Sequence, residues 1–447
     1  AALADTMAVT VDANGLLKLA ASETIATLAG AGNVNLQANT LTVGGGANTT
    51  FSGILSGAGG LVKNGSAVFT LGGTNTFSGG VVLNAGAIQA GNDAALGSGT
   101  LTFTGGRLSS DSASARALAN VLSLTGALTL GDATNNGALT LSGNAALTGN
   151  TTLTVESAAT LSGILSGAYN LTTAGASELT LSGTNSFSGT TTVNAGTLTL
   201  AGGAALVDAM AVTVDANGLL KLAASETIAT LAGAGNVNLQ ANTLTVGGGA
   251  NTTFSGILSG AGGLVKNGSA VFTLGGTNTF SGGVVLNAGA IQAGNDAALG
   301  SGTLTFTGGR LSSDSASARA LANVLSLTGA LTLGDATNNG ALTLSGNAAL
   351  TGNTTLTVES AATLSGILSG AYNLTTAGAS ELTLSGTNSF SGTTTVNAGT
   401  LTLAGGAALV DAMAVTVDAN GLLKLAASET IATLAGAGNV NLQANTL

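Results

Sequence analysis

The chain of 447 residues holds no cysteine, proline, histidine or tryptophan. Without cysteine there is no disulfide framework, no thiolate zinc site and no thiol nucleophile. Without histidine the usual general base and the commonest metal ligand are missing. Charge is scarce as well: 6% of residues are charged, against about 25% in an ordinary domain. A net charge of −10 and a pI near 4.2 speak against a phosphate-binding surface, because nucleic-acid binders carry basic stripes. Long apolar runs are lacking too. The uncharged stretch from Leu179 to Val207 has the length to span a bilayer, but Ser, Thr, Gly and Asn interrupt it every two or three residues, so it does not read as a membrane-spanning helix. Stability has to come from backbone ladders and an aliphatic core.

What is present is repetition. Such a length suggests about three domains of roughly 150 residues, but an internal repeat overrides that count. The sequence from Ala1 returns at Ala204 and again at Ala407, an offset of 203 residues both times; within the overlap only Ala4 (Val207 in the next copy) and Thr6 (Ala209) change. The organisation is therefore unit 1 over residues 1–203, unit 2 over 204–406, and the start of unit 3 over 407–447. No linker marks the seam: "TLTLAGGAALVDAMAVTVDANG" crosses it in the same idiom, which predicts one continuous structure. The opening "AALADTMAVTVDANG" is already inside the pattern and holds no signal peptide, so the expectation is an excerpt of a longer polypeptide.

Inside a unit, "LTL" or a close equivalent occurs at Leu128, Leu139, Leu153, Leu171, Leu179 and Leu198. Every second or third such element falls about 20 residues on. In "GTLTLAGG", Leu198 and Leu200 share one side and Thr197 and Thr199 the other, the alternation of a half-buried strand. Asn-Gly pairs at Asn14-Gly15, Asn64-Gly65 and Asn136-Gly137 suit sharp corners, since both residue types tolerate positive φ. Short strands, tight corners and a quasi-repeat near 20 residues describe an all-β, right-handed parallel β-helix, a β-solenoid continuous across the repeats, with its hand set by the preference of parallel crossovers. A 203-residue period then makes about 10 coils and about 48 Å of length. The missing proline fits, because every strand needs its N–H for the ladder. Over Asp111–Leu128 a helical turn competes, with good helix formers from Ala115 to Leu124, although "VLSLTGALTLG" continues as strand.

The phrases "GTNTFSGGVVLNAGAIQAG" (Gly73 to Gly91) and "GTNSFSGTTTVNAGTLTLAGG" (Gly183 to Gly203) each read as corner, Phe plug, strand, Asn-Ala-Gly corner and strand. They nominate Asn75, Gly79, Gly86, Asn185, Gly189 and Gly196 as corner residues and Phe77 and Phe187 as plugs. Phe51, Phe69 and Phe103 read as further core fillers. For chemistry the nearest cluster is Asp93, Arg107, Asp111 and Arg116; at about 20 residues per coil Asp93 and Asp111 would lie one above the other. A solvated face or ladder ion pairs explains these better than a polysaccharide-cleaving pair. "TVGGGANTT" has the glycines of a calcium nonapeptide but no aspartate at the ligand position, and "GAGGLVKNG" lacks the Gly-Lys-Ser/Thr ending of a phosphate loop. No metal or cofactor is expected. Rows of Thr from coil to coil would suit an ice-binding face, but the uneven "LTL" spacings favour ordinary outward Thr. Tyr169 and its copy Tyr372 are the one candidate pair for a surface contact.

Thr50–Gly106 and Leu161–Leu200 resemble the autotransporter-associated β-strand repeat of Gram-negative type V secreted passengers and giant adhesins, and Val9–Gly46 is similar to the usual run-in to it. The resemblance implies a β-helical passenger exported across both membranes, with a C-terminal membrane β-barrel. Nothing after Leu403 has the alternating strands and aromatic girdles of such a barrel, and aromatics are 3% of the chain. With the missing chemistry, it leads to the expectation of a structural, non-enzymatic protein that is secreted, displayed at the cell surface and anchored through regions outside this chain. Its expected partners are itself, end to end or side by side, and a host or partner-cell surface. A repetitive glycan- or partner-binding surface is the alternative, and a polysaccharide-active enzyme a third reading.

Overall fold

The computed structural model describes residues 2–135 and 137–447; about 49% of the chain is strand, and no helix occurs among the described residues. Asn136, half of one expected Asn-Gly corner, lies outside them. Packing divides the chain into two compact units, Ala1–Glu226 and Thr227–Leu447. Each is a β-solenoid of stacked parallel coils.

In the first unit a coil passes over three faces in turn. Ala8–Val11 lies on face I, Leu16–Lys18 on face II and Glu23–Ile25 on face III, and Thr27–Gly30 returns to face I by pairing in parallel with Ala8–Val11. Face I then continues through Thr49–Phe51, Val68–Leu71, Ala87–Ala90, Arg107–Ser110 and the latter part of Leu122–Leu130. It ends through the latter part of Ala145–Val155, then Leu171–Gly175 and the first parts of Thr191–Leu200 and Ala211–Leu222. That makes eleven strands separated by ten coils. The face I strand reached after ten coils holds Val212, the copy of Val9, so one 203-residue period brings its sequence back to the same face. The second unit, from Thr230–Gly233 to Thr433–Gly436, repeats this ladder of eleven strands.

Coil length varies more than the sequence suggested. Partners in the ladder are 17 residues apart at Leu16↔Asn33 and 25 apart at Gly126↔Thr151. The long coils carry loops at Ser112–Ala115 and Gly131–Asn135, so insertions leave the faces intact. Over Asp111–Leu128 the chain forms Arg116–Leu118 and enters Leu122–Leu130, both strands. At Asp12–Gly15 the chain makes the expected turn, with the Gly15 N–H donating to the Asp12 carbonyl. The same four residues in the next copy lie inside one bent strand, Ala211–Leu222, because both its halves pair with Thr191–Leu200. A register shift between Val193 and Ala195 absorbs the bend.

Alternation builds the core. Leu141, Leu161, Leu181 and Leu200 stack in register on face II, none more than 2% exposed, while Thr140, Thr160 and Thr180 between them point outward. Each such leucine contributes roughly 1.5–3 kcal/mol by burial, and the ladder pairs the strand backbone groups of successive coils.

Candidate functional site

Asn75 and Asn185 are buried, 4% and 5% exposed. The Asn75 side chain takes the place of a backbone rung. Its Oδ1 accepts from the Leu55 N–H one coil below at 2.7 Å, and its Nδ2 donates to the Ala95 carbonyl one coil above at 2.6 Å. Asn185 does the same between Leu165 and Ala205, at 2.7 and 2.8 Å. A primary amide has one acceptor and donor set matching a peptide group, so the chain can leave the strand at these corners without orphaning either neighbour. The Asn185 bond reaches across the seam between units 1 and 2 of the sequence.

Phe77 and Phe187 lie two residues on and are fully buried. The backbone of Gly97 passes directly over the Phe77 ring: a Cβ there would sit 3.0 Å from Cδ1. The two Phe corners share local hydrogen bonding, Thr76 to Leu55 and Ser186 to Leu165, yet they stand on different faces, Phe77 on face II and Phe187 on face III. Gly79 and Gly189 are points of close approach, where a Cβ would meet the Gly59 carbonyl carbon at 2.5 Å and the Tyr169 oxygen at 2.1 Å. Gly86 and Gly196 adopt φ of 70°, the left-handed region that costs a side chain.

Two buried charges escape the corner reading. Lys63, 1% exposed, runs its alkyl stem through the core and donates from Nζ to the carbonyls of Asn64, Gly65 and Ala85. Burial pushes its ammonium below the usual lysine range. The signal was in "LVK": alternation places Lys63 on the same side as Leu61. Glu429, 5% exposed, accepts from the N–H groups of Ala408 and Leu409, and its copy Glu226 accepts from Ala205 at 3.0 Å. Asn185 and Glu226 thus hold Ala205 from opposite sides, immediately after the seam.

The acid and base candidates do not gather into one site. Asp111 pairs with Arg116 at 2.7 Å and lies over Gly91 rather than over Asp93. Asp93 accepts from the Ala117 N–H at 2.9 Å. Arg107 turns elsewhere, to Asp132 at 2.6 Å and Glu156 at 3.0 Å, and so clasps three successive coils. Burial raises the Asp132 carboxyl, but the N–H groups of Thr134 and Asn135 and the Arg107 guanidinium outweigh it and hold the group below the usual carboxylate range. One coil further along, Glu178 accepts from Thr199 and meets Lys221 at 3.6 Å. The result is an ion-pair spine along the edge between faces I and II. A shallow depression over Gly86, Ala87 and Gly106 borders it at Arg107 and Asp132.

Tyr169 and Tyr372 are each 44% exposed. No group of three acidic side chains with metal-ligand geometry occurs among the described residues, and no helix long and apolar enough to cross a membrane occurs among them. The arrangement ties the register of successive coils together; the buried polar groups of Asn75, Asn185, Lys63 and Glu429 are spent on backbone partners.

Four segments match a family model, the passenger-associated-transport-repeat: residues 61–90, 171–200, 264–293 and 374–403. No curated protein and no solved structure matches the chain. On the solenoid, the segment 61–90 begins on face III and 171–200 begins on face I, so the second repeat is turned by one face relative to the first. With both segments of each compact unit built as parallel coils around Asn-Phe corners, the chain is identified as a carrier of the passenger-associated-transport repeat, the autotransporter-associated repeat it resembles.

Proposed function

We propose that this chain is a spacer length of a secreted, autotransporter-type passenger, a stiff rod that holds a binding tip or a cell-cell contact away from the bacterial envelope. The observation that carries this reading is the integral period: 203 residues make ten coils and return every side chain to its own face. Copies can then be gained or lost without turning whatever follows. Folding needs no disulfide, which suits a chain threaded unfolded through a membrane and then zipped coil by coil. Anchoring is assigned to regions outside this chain, and adhesion to the structure the rod carries.

Export is the direct test. Fused between a signal peptide and an autotransporter β-barrel, the chain is expected on the outside of Gram-negative cells, where added protease removes it. Retention in the periplasm would contradict the passenger reading.

The exposure of Tyr169 favours a second reading, a ligand surface shown once per period and strengthened by repetition. It predicts that Tyr169→Ala with Tyr372→Ala abolishes the binding of displaying cells to glycan-coated or cellular surfaces. Unchanged binding would leave the spacer as the sole account.

A further inference from the structure

Asn-Gly pairs recur along the chain, and their surroundings differ. At Asn14 the following Gly15 N–H donates to the Asp12 carbonyl at 2.6 Å, and at Asn339 the Gly340 N–H donates to the Ser315 carbonyl at 3.1 Å. Asn217 and Asn420 lie inside long strands, where Gly218 and Gly421 are held in register with Gly196 and Gly399. Asn64 and its copy Asn267 are set apart in three ways. Among the described residues the N–H groups of Gly65 and Gly268 have no acceptor. The buried Lys63 ammonium donates to the Asn64 carbonyl at 2.5 Å, and this is the carbonyl of the Asn64–Gly65 peptide itself. From the coil above, Asn84 Nδ2 donates to Asn64 Oδ1 at 2.8 Å. Thr104, one coil higher, donates to Asn84 Oδ1 at 2.7 Å and so fixes which end of that amide faces Asn64. Lys266, Asn287 and Thr307 repeat these bonds around Asn267.

We propose that Asn64-Gly65 and Asn267-Gly268 are self-modifying sites, where the folded chain converts asparagine to an aspartyl or isoaspartyl residue. The Gly65 nitrogen gives its proton to water and attacks Asn64 Cγ. A C–N bond forms and closes a succinimide ring, the Cγ–Nδ2 bond breaks, and ammonia leaves after taking a proton from water. A second water then opens the ring at either carbonyl and leaves a carboxylate; the net change is one water consumed and one ammonia released. Each contact serves a separate part of this step. The ammonium on the Asn64 carbonyl stabilises the charge that spreads onto that oxygen from the deprotonated Gly65 nitrogen. The Asn84 N–H stabilises the charge that gathers on Oδ1 as Cγ becomes tetrahedral. Both donors stand in place before the reaction, which is how fixed dipoles lower a barrier. Because the Gly65 N–H has no acceptor, attack breaks no hydrogen bond. Asn64 is only half-buried, so water can reach the ring. Lys63 donates only to carbonyls, and conversion puts a negative charge on the residue beside it. The rod thus gains one carboxylate per site after folding, whether or not it is exported.

The test follows the full chain during long incubation at neutral and mildly alkaline pH, with peptide mass spectrometry reading the amide-to-acid mass gain. In the folded chain Asn64 and Asn267 are expected to convert about tenfold faster than Asn217 and Asn420. The rate should climb with pH, and in denaturant the four should convert alike. Asn84→Ala, at an exposed position, should slow Asn64 about tenfold and leave Asn267 at its wild-type rate. Trypsin leaves residues 64 and 84 on one fragment, so the substitution marks the peptide it affects. Lys63→Met, which keeps most of the core volume, should slow Asn64 in the same way. If that variant loses strand by circular dichroism, Asn84→Ala alone decides. Conversion of Asn64 no faster than that of Asn217 in the folded chain, or a rate indifferent to Asn84→Ala, would overturn the proposal. Cleavage between Asn64 and Gly65 in place of the mass gain would overturn it too, because the Lys63 contact would then serve attack by the Asn64 amide nitrogen on its own carbonyl.

Discussion

A buried amide that accepts from one coil and donates to the next ties three layers together through a single residue, and Asn75 and Asn185 are placed to do this. Asn75→Ala leaves the Leu55 N–H and the Ala95 carbonyl without their partner, at a cost of about 2–4 kcal/mol. A fall in thermal midpoint is expected, and an unchanged melt would mean the amide is dispensable. Thr191 presents the reverse case. Its hydroxyl is buried with no hydrogen-bond partner, so Thr191→Val should stabilise the chain by about 1 kcal/mol. Glycine substitutions separate geometry from composition. Gly86→Ala forces a Cβ to 2.4 Å from the Gly65 oxygen at φ 70° and should destabilise by more than about 1 kcal/mol. At Gly46 a Cβ meets nothing within 4 Å, so alanine should stay within about 0.5 kcal/mol of wild type. Composition and the Gly-Thr-Asn phrase marked Asn75 as a corner. Its two-sided bonding was not legible, because a turn asparagine and a rung asparagine look alike until the coils above and below are in place. Lys63 was legible in principle from alternation, but a lone lysine reads as solvent-facing.

Among the elements, strands followed from period-two alternation, and the glycine-rich bends followed from residue type. Which strand lies over which did not follow, since spacings from 17 to 25 residues accumulate into a turn of one face between the two family repeats of a unit. The ion-pair spine was hidden for the same reason: Arg107 and Asp132 are 25 residues apart, beyond the expected coil. This spine gives the elements a pH response. The Asp132 carboxyl is held below its ordinary range, so the stability it contributes is present above about pH 4 and is lost as pH falls through its lowered folded value. The thermal midpoint should therefore drop on acidification from about pH 5 to about pH 2. Asp132→Asn with Asp335→Asn, the copy in the second unit with the same downward shift, should lower the midpoint at pH 5 and flatten that drop. An equally steep drop in the double variant would remove the spine from the account.

For the whole molecule, composition removed disulfide, thiol and imidazole chemistry, and repetition pointed to a solenoid. The near-identity of the copies makes sense once ten coils make a period: substitutions are tolerated where they face outward, but gaining or losing a fraction of a coil would turn every following residue to a new face. Each compact unit keeps its ladder across a sequence seam, through Thr191–Leu200 with Ala211–Leu222 and through Thr394–Leu403 with Ala414–Leu425. That continuity across the seam is what a length-setting segment needs. Such a segment adds a fixed increment of length per period. Chains with one, two and three additional 203-residue copies, measured by electron microscopy or small-angle scattering, should each be longer than the last by about 48 Å at constant cross-section. Growth in width at constant length, or increments that differ from copy to copy, would contradict it.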